Sequence, residues 1–134
     1  MSYAIERQLI ETAYQAGMPA NDPIQFSNVT FKAPSGGYTR LKVLSGGGSR
    51  LKAFVGTTQR RYAGAIDVAI FVPTKMGTAG LRAKADEVET ALAHKTLTSG
   101  AVQVRTFGAD FVEIGEQGDW YQGNITIRFE RDTN

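Results

Sequence analysis

The chain contains no cysteine, which removes disulfide frameworks and thiolate metal sites from consideration. It contains one histidine, His94, so no His-pair metal site can form, and any Ser–His catalytic pair would have to be built on that residue alone. Long apolar runs are missing, far short of the roughly 20 residues a membrane helix needs. Glu6 and Arg7 break the amino-terminal region before it could act as a secretory core. A soluble protein made in a cytoplasm is the expectation. Acidic residues are absent from Pro23 to Ile66, a stretch that carries Lys32, Arg40, Lys42, Arg50, Lys52, Arg60 and Arg61. The reverse holds from Asp110 to Asp119, where Asp110, Glu113, Glu116 and Asp119 occur with no Lys or Arg. The net charge of +2 hides this polarisation along the chain.

At 134 residues the chain fits one domain, spanning 1–134. Ile5, Leu9, Ala13 and Ala16 recur at helical spacing, and Gly17 then Pro19 supply a stop, which predicts a helix over Ser2–Ala16. Alternation predicts strands over Phe26–Ala33, Tyr38–Leu44, Leu51–Val55, Tyr62–Val72, Val102–Phe107, Phe111–Ile114 and Tyr121–Arg131. Between the second and third of these, Ser45-Gly46-Gly47-Gly48-Ser49 reads as a mobile hairpin tip. Leu81, Ala85, Val88 and Leu92 form a helical stripe, with Arg82 and Asp86 one turn apart and His94 and Lys95 in the last turn. The order of elements implies an α+β fold: an antiparallel sheet with two helices packed on one face, plus a long Gly-rich β-hairpin. Ile66, Val68, Ile70, Ile125, Ile127 and Phe129 should be buried beneath Leu9, Val88 and Leu92. The echo between Tyr62-x-Gly64-x-Ile66 and Tyr121-x-Gly123-x-Ile125 fits two core strands of one sheet, each with an aromatic ring over a glycine.

No catalytic constellation emerges. Gly46-Gly47-Gly48-Ser49-Arg50 lacks the lysine and following helix of a phosphate loop. Asp86, Glu87 and Glu89 fall on the polar arc of a helix, and Asp110–Asp119 lacks calcium-loop spacing. No enzyme, cofactor or metal site is expected. The basic stretch is interleaved with Phe31, Tyr38, Phe54 and Tyr62, a pairing that can bind nucleic acid, but a solvated sheet face is the more frequent meaning of such a pattern.

Arg60-Arg61-Tyr62-Ala63-Gly64 leads into Ile66-Asp67-Val68-Ala69-Ile70-Phe71-Val72-Pro73. A loop with Gly77 and Gly80 follows, then a helix containing Ala85-Asp86-Glu87-Val88 and the closing Gly123-Asn124-Ile125-Thr126-Ile127-Arg128-Phe129. In this order and spacing the chain resembles the tail terminator, or tail-completion, proteins of long-tailed bacteriophages and prophages. The resemblance implies a hexameric ring on the head-proximal end of the tail tube, assembled in the host cytoplasm. Such a ring stops tube growth, presents a surface to the head connector protein and surrounds the passage for DNA. Its partners would be further copies of itself, the tail tube protein and the head connector. A ring needs two different patches that meet. Arg40, Lys42, Arg50, Lys52, Arg60 and Arg61 on one side, with Glu113, Glu116 and Asp119 on the other, are the candidate interface. Another head–tail joining or tube component, or a stand-alone nucleic-acid or small-ligand module, are the alternatives.

Overall fold

In a computed structural model, residues 2–20, 22–27, 29–51, 60–75 and 77–133 are described. The elements run α1 (Ser2–Gly17), β1 (Ile24–Phe26), β2 (Tyr38–Leu51), β3 (Arg60–Pro73), α2 (Ala79–Leu92), β4 (Thr96–Ser99), β5 (Val102–Gln117) and β6 (Trp120–Thr133). They form one six-stranded sheet in the order β1-β2-β3-β6-β5-β4. Among the described residues only the β1–β2 pair is parallel. Both helices pack on the same face, so the fold is α+β as the order of elements implied.

The period-two pattern explains that face. Ile66, Val68, Ile70, Ile125, Ile127 and Phe129 are each at most 1% exposed, and they share a core with Ile10, Tyr14, Leu81, Ala85, Val88 and Leu92 from the helices. Ile66 lies directly opposite Ile127, and Val68 opposite Ile125. The two echoing glycines lie under rings from neighbouring strands. A Cβ at Gly64 would sit 2.5 Å from Phe129 Cζ, and one at Gly123 would sit 2.9 Å from Phe111 Cε1. Side chains there would push the rings out of the core.

Several local expectations are corrected. The glycine run is not a hairpin tip: β2 continues through it, paired with β3 as far as Leu51 opposite Arg60, with a register shift between Gly46 and Ser49. Glycine tolerates the backbone of such a bulge. The proposed strand Leu51–Val55 falls mostly in residues 52–59, outside the described residues. The strand expected over Phe26–Ala33 is only Ile24–Phe26. Beyond it the Ser27 hydroxyl donates to the Leu41 carbonyl at 3.4 Å and the chain leaves the sheet, with Val29 exposed. The two strands expected over Val102–Phe107 and Phe111–Ile114 are one strand, β5, bulged between Thr106 and Ala109. At that bulge Thr106 Oγ1 accepts the Lys95 N–H at 2.7 Å and donates to the Leu92 carbonyl at 2.5 Å. This satisfies a carbonyl at the end of α2. His94 has φ 55° and lies past the helix rather than in its last turn.

Helix α1 is rotated from its expected face. Glu6, Ile10 and Tyr14 are buried, Ile5, Leu9 and Ala13 are half-buried, and Ala16 is exposed. The offset is one residue, about 100° of turn. Two polar anchors on the buried face account for it. Tyr14 donates to Thr39 Oγ1 at 2.7 Å, and burial pushes the Tyr14 hydroxyl well above its ordinary range, so it remains a donor. Glu6 accepts from Arg131 Nε at 2.9 Å, with both side chains 2% exposed, and from the Ser45 hydroxyl. The Arg131 guanidinium lies 4.0 Å from the centre of the Tyr62 ring and 4.8 Å from that of Tyr3. One buried pair thus joins the first helix to the last strand.

Two consequences can be measured by urea denaturation. Ile127→Ala should cost about 2–5 kcal/mol by leaving a cavity, and a loss below about 1 kcal/mol would mean that another face is inside. Glu6→Ala should cost about 3–5 kcal/mol, because it removes the carboxylate that matches a guanidinium in the core. A change near zero would show that the pair does not hold α1.

Candidate assembly interface

The nine charged residues singled out in the sequence do not form one patch. Strand β3 runs from Arg60 beside Thr133 to Pro73 beside Trp120. The β5–β6 turn, Gly118-Asp119, therefore lies at the Pro73 end. It is a two-residue turn with Gly118 at φ 64° in its first central position, the pattern that suits a hairpin. Glu116 and Asp119 are exposed at this end. Arg50, Arg60 and Arg61 lie at the other end, where Arg50 is opposite Arg61 and Leu51 opposite Arg60. Along a strand of this length the two ends are roughly 40 Å apart if extended. Strand β2 is near one edge of the sheet and β5 near the other. The basic and acidic groups thus occupy diagonally opposite corners and cannot neutralise each other within one subunit.

Three candidates already have internal roles. Arg61 makes a two-pronged contact with Asp132, Nε to Oδ1 at 2.8 Å and Nη2 to Oδ2 at 3.2 Å, and its Nε is 3.3 Å from Glu130 Oε2. The hydrogen bond to Asp132 raises the Arg61 pKa further. Arg105 Nη2 joins the same carboxylates from β5, at 3.5 Å from Glu130 and 3.9 Å from Asp132. Glu113 pairs with the Arg82 guanidinium at 2.6 Å and accepts from the Tyr121 hydroxyl at 3.1 Å, which raises the Tyr121 pKa. Arg82 therefore reaches across to β5 rather than along its own helix to Asp86, drawn also by the Phe111 ring 5.5 Å away. Arg40 lies over the Phe71 ring at 5.3 Å, within a cluster in which Tyr38 stacks on Phe71 at 4.7 Å and meets Trp120 edge-on at 5.6 Å. Lys42 is exposed on β2, opposite Asp67 in the ladder. Lys52 lies outside the described residues.

Sequence reasoning missed the balanced set of charges that meets at the Arg60 end of the sheet: Glu6, Arg105, Glu130, Arg131 and Asp132. The run Glu130-Arg131-Asp132 at the end of an apolar strand was the available signal, because charges on a core strand need partners. Among the described residues no group of three or more His, Asp or Glu side chains could hold a metal ion. No helix among them is long and apolar enough to cross a membrane. Lys84, held by Asp22 and Glu87 at 2.8 Å each, borders a cleft with Pro34, Gly37 and Phe71. Burial lowers the Lys84 pKa, but the two carboxylates outweigh it and the net shift is upward. A cation already matched by two acids is a structural tie.

Comparison with known proteins places this architecture. No curated protein sequence matches the chain. Eight chains of solved structures match; one superposes with a TM-score of 0.69 at 20% identity, covering 96% of this chain and 91% of its own, which is agreement of fold. The family model described as phage tail terminator protein matches residues 1–129. With nearly the whole chain matched, the protein belongs to the phage tail terminator family, a family of structural proteins, and is a component of the virion tail.

Proposed function

We propose that this protein closes the head-proximal end of the tail tube as a ring, most simply a hexamer. The ring ends tube growth and forms the surface that receives the head. It assembles in the host cytoplasm from copies of itself on the last layer of tail tube protein, then meets the head connector protein. DNA passes through its centre without being read by sequence. The work requires shape, symmetry and complementary contact, and no bond is made or broken.

The observation that carries this reading, beside family membership, is the diagonal separation of charge. A cyclic ring is built from heterologous contacts, in which two unlike patches of each subunit meet. Arg50 and Arg60 at one corner and Glu116 and Asp119 at the other are distant along the strands and opposite in sign, whereas Arg61 is already matched by Asp132 and Glu130. Opposite potentials favour correct register and rapid encounter, while like corners repel and disfavour two-fold pairs.

Charge reversal tests the reading. Arg50→Glu with Lys52→Glu should leave the subunit folded, with a stability change of only about 0.5 kcal/mol. Light scattering should then show loss of the ring, and electron micrographs should show unfinished tails of uneven length. Normal rings and tails from the reversed variant would overturn the proposal.

A further inference from the structure

The sheet is unusual in leaving a length of both margins uncovered. Strand β1 pairs with β2 only along Thr39–Leu41, so among the described residues nothing pairs with the outer edge of β2 from Lys42 to Leu51. Strand β4 pairs with β5 only along Val102–Arg105, and the Lys95 segment covers β5 no further than Phe107. From Gly108 to Gln117 the outer edge of β5 has no strand beside it among the described residues. Open edges present unpaired backbone groups in a row and serve as templates for another strand. Three of the six exposed large apolar side chains among the described residues lie on these same lengths: Leu44 on β2 at 51%, with Val112 at 57% and Ile114 at 46% on β5. Leu44 and Val112 both point to the face away from the helices, as the ladder Leu44–Ala65 and the ladder Val112–Asn124–Ala69 require.

We propose that the open length of β5 in one subunit pairs with the open length of β2 in the next, so that the ring is joined by one continuous sheet. This rests on the ring reading and supplies its interface. Charge selects the pairing: the β2 length carries Lys42 and Arg50 and no acid, and the β5 length carries exposed Asp110 and Glu116 and no base, with Glu113 already held by Arg82. Two β2 edges would repel each other, as would two β5 edges, whereas β2 against β5 attracts. The direction is also right. Within a subunit β5 runs opposite to β2, so a rotated copy offers its β2 antiparallel to β5. Val112 is level with Ala69 and Leu44 with Ala65, so facing them requires a step along the strands of about 13 Å. A closed sheet of tilted strands steps by about one residue per strand when shear equals strand number, and the four strands β2, β3, β6 and β5 between one β2 and the next give a shift of that size.

Because the chain has no cysteine, introduced thiols report the contact without background. Leu44→Cys is combined in one chain with Val112→Cys or with Ile114→Cys. The assembled ring is treated with a short bismaleimide spanning diagonal neighbours, which lie about 7–8 Å apart on paired strands. A covalent ladder up to the full ring is expected from at least one pair. Each single variant alone should give none, and a mixture of the two singles should stop at dimers. Circular dichroism matching the parent confirms that the variants are folded. Rings visible in micrographs without a ladder from either pair would overturn the edge pairing and leave the ring reading standing. Cross-links to the tube protein in place of the ladder would do the same. Failure of the parent chain to form any ring, alone or on tubes, would overturn both.

Discussion

Arg131 carries its charge into the core on the last strand, and a guanidinium 2% exposed is tolerable only with a carboxylate beside it. Glu6 supplies that carboxylate from the first helix. The pair decides how α1 rolls against the sheet, which is why its buried face is Glu6, Ile10 and Tyr14 rather than the more apolar stripe beside it. It also fixes the end of the sheet where Ser45 on β2, Tyr62 on β3 and Arg131 on β6 come together. The basic corner stands on this base, and the cross-strand ladder of Arg61, Asp132, Glu130 and Arg105 stiffens its other face.

From that arrangement the shape of an assembly unit follows. A sheet covered by helices on one face needs no further partner for its core, but its margins and corners remain to be matched. Short β1 and β4 each cover only part of a long neighbour, at opposite ends. The result is a subunit whose two sides differ in charge and in which half is open. Such asymmetry suits a closed ring of repeated unlike contacts better than a two-fold pair.

The core was legible in the sequence because burial writes a period into it. Alternation along Ile66–Val72 and Tyr121–Phe129, and the stripe Leu81–Leu92, named the buried face of the sheet and of α2. The reading failed where polar chemistry overrides period. It misplaced the face of α1, because Glu6 is an apolar-site residue only when Arg131 is known to be opposite, far along the chain. It broke β5 at Thr106, because a bulge held by a side-chain hydroxyl has no apolar signature. It read three glycines as a turn, although glycine serves a strand bulge equally well. Among the candidate interface residues, the sequence showed that charge was segregated. It could not show that Arg61 and Glu113 are matched inside the subunit while Glu116 and Asp119 stand exposed at the far corner.

The proposed role of this protein is to stop the tube. The direct measurement is tube length by electron microscopy, with purified tube protein polymerising in the presence of increasing amounts of this chain. Growth should halt, mean length should fall as the chain is added, and a ring of extra density should sit at one end only. Tubes of unchanged length, or density distributed along their sides, would contradict it.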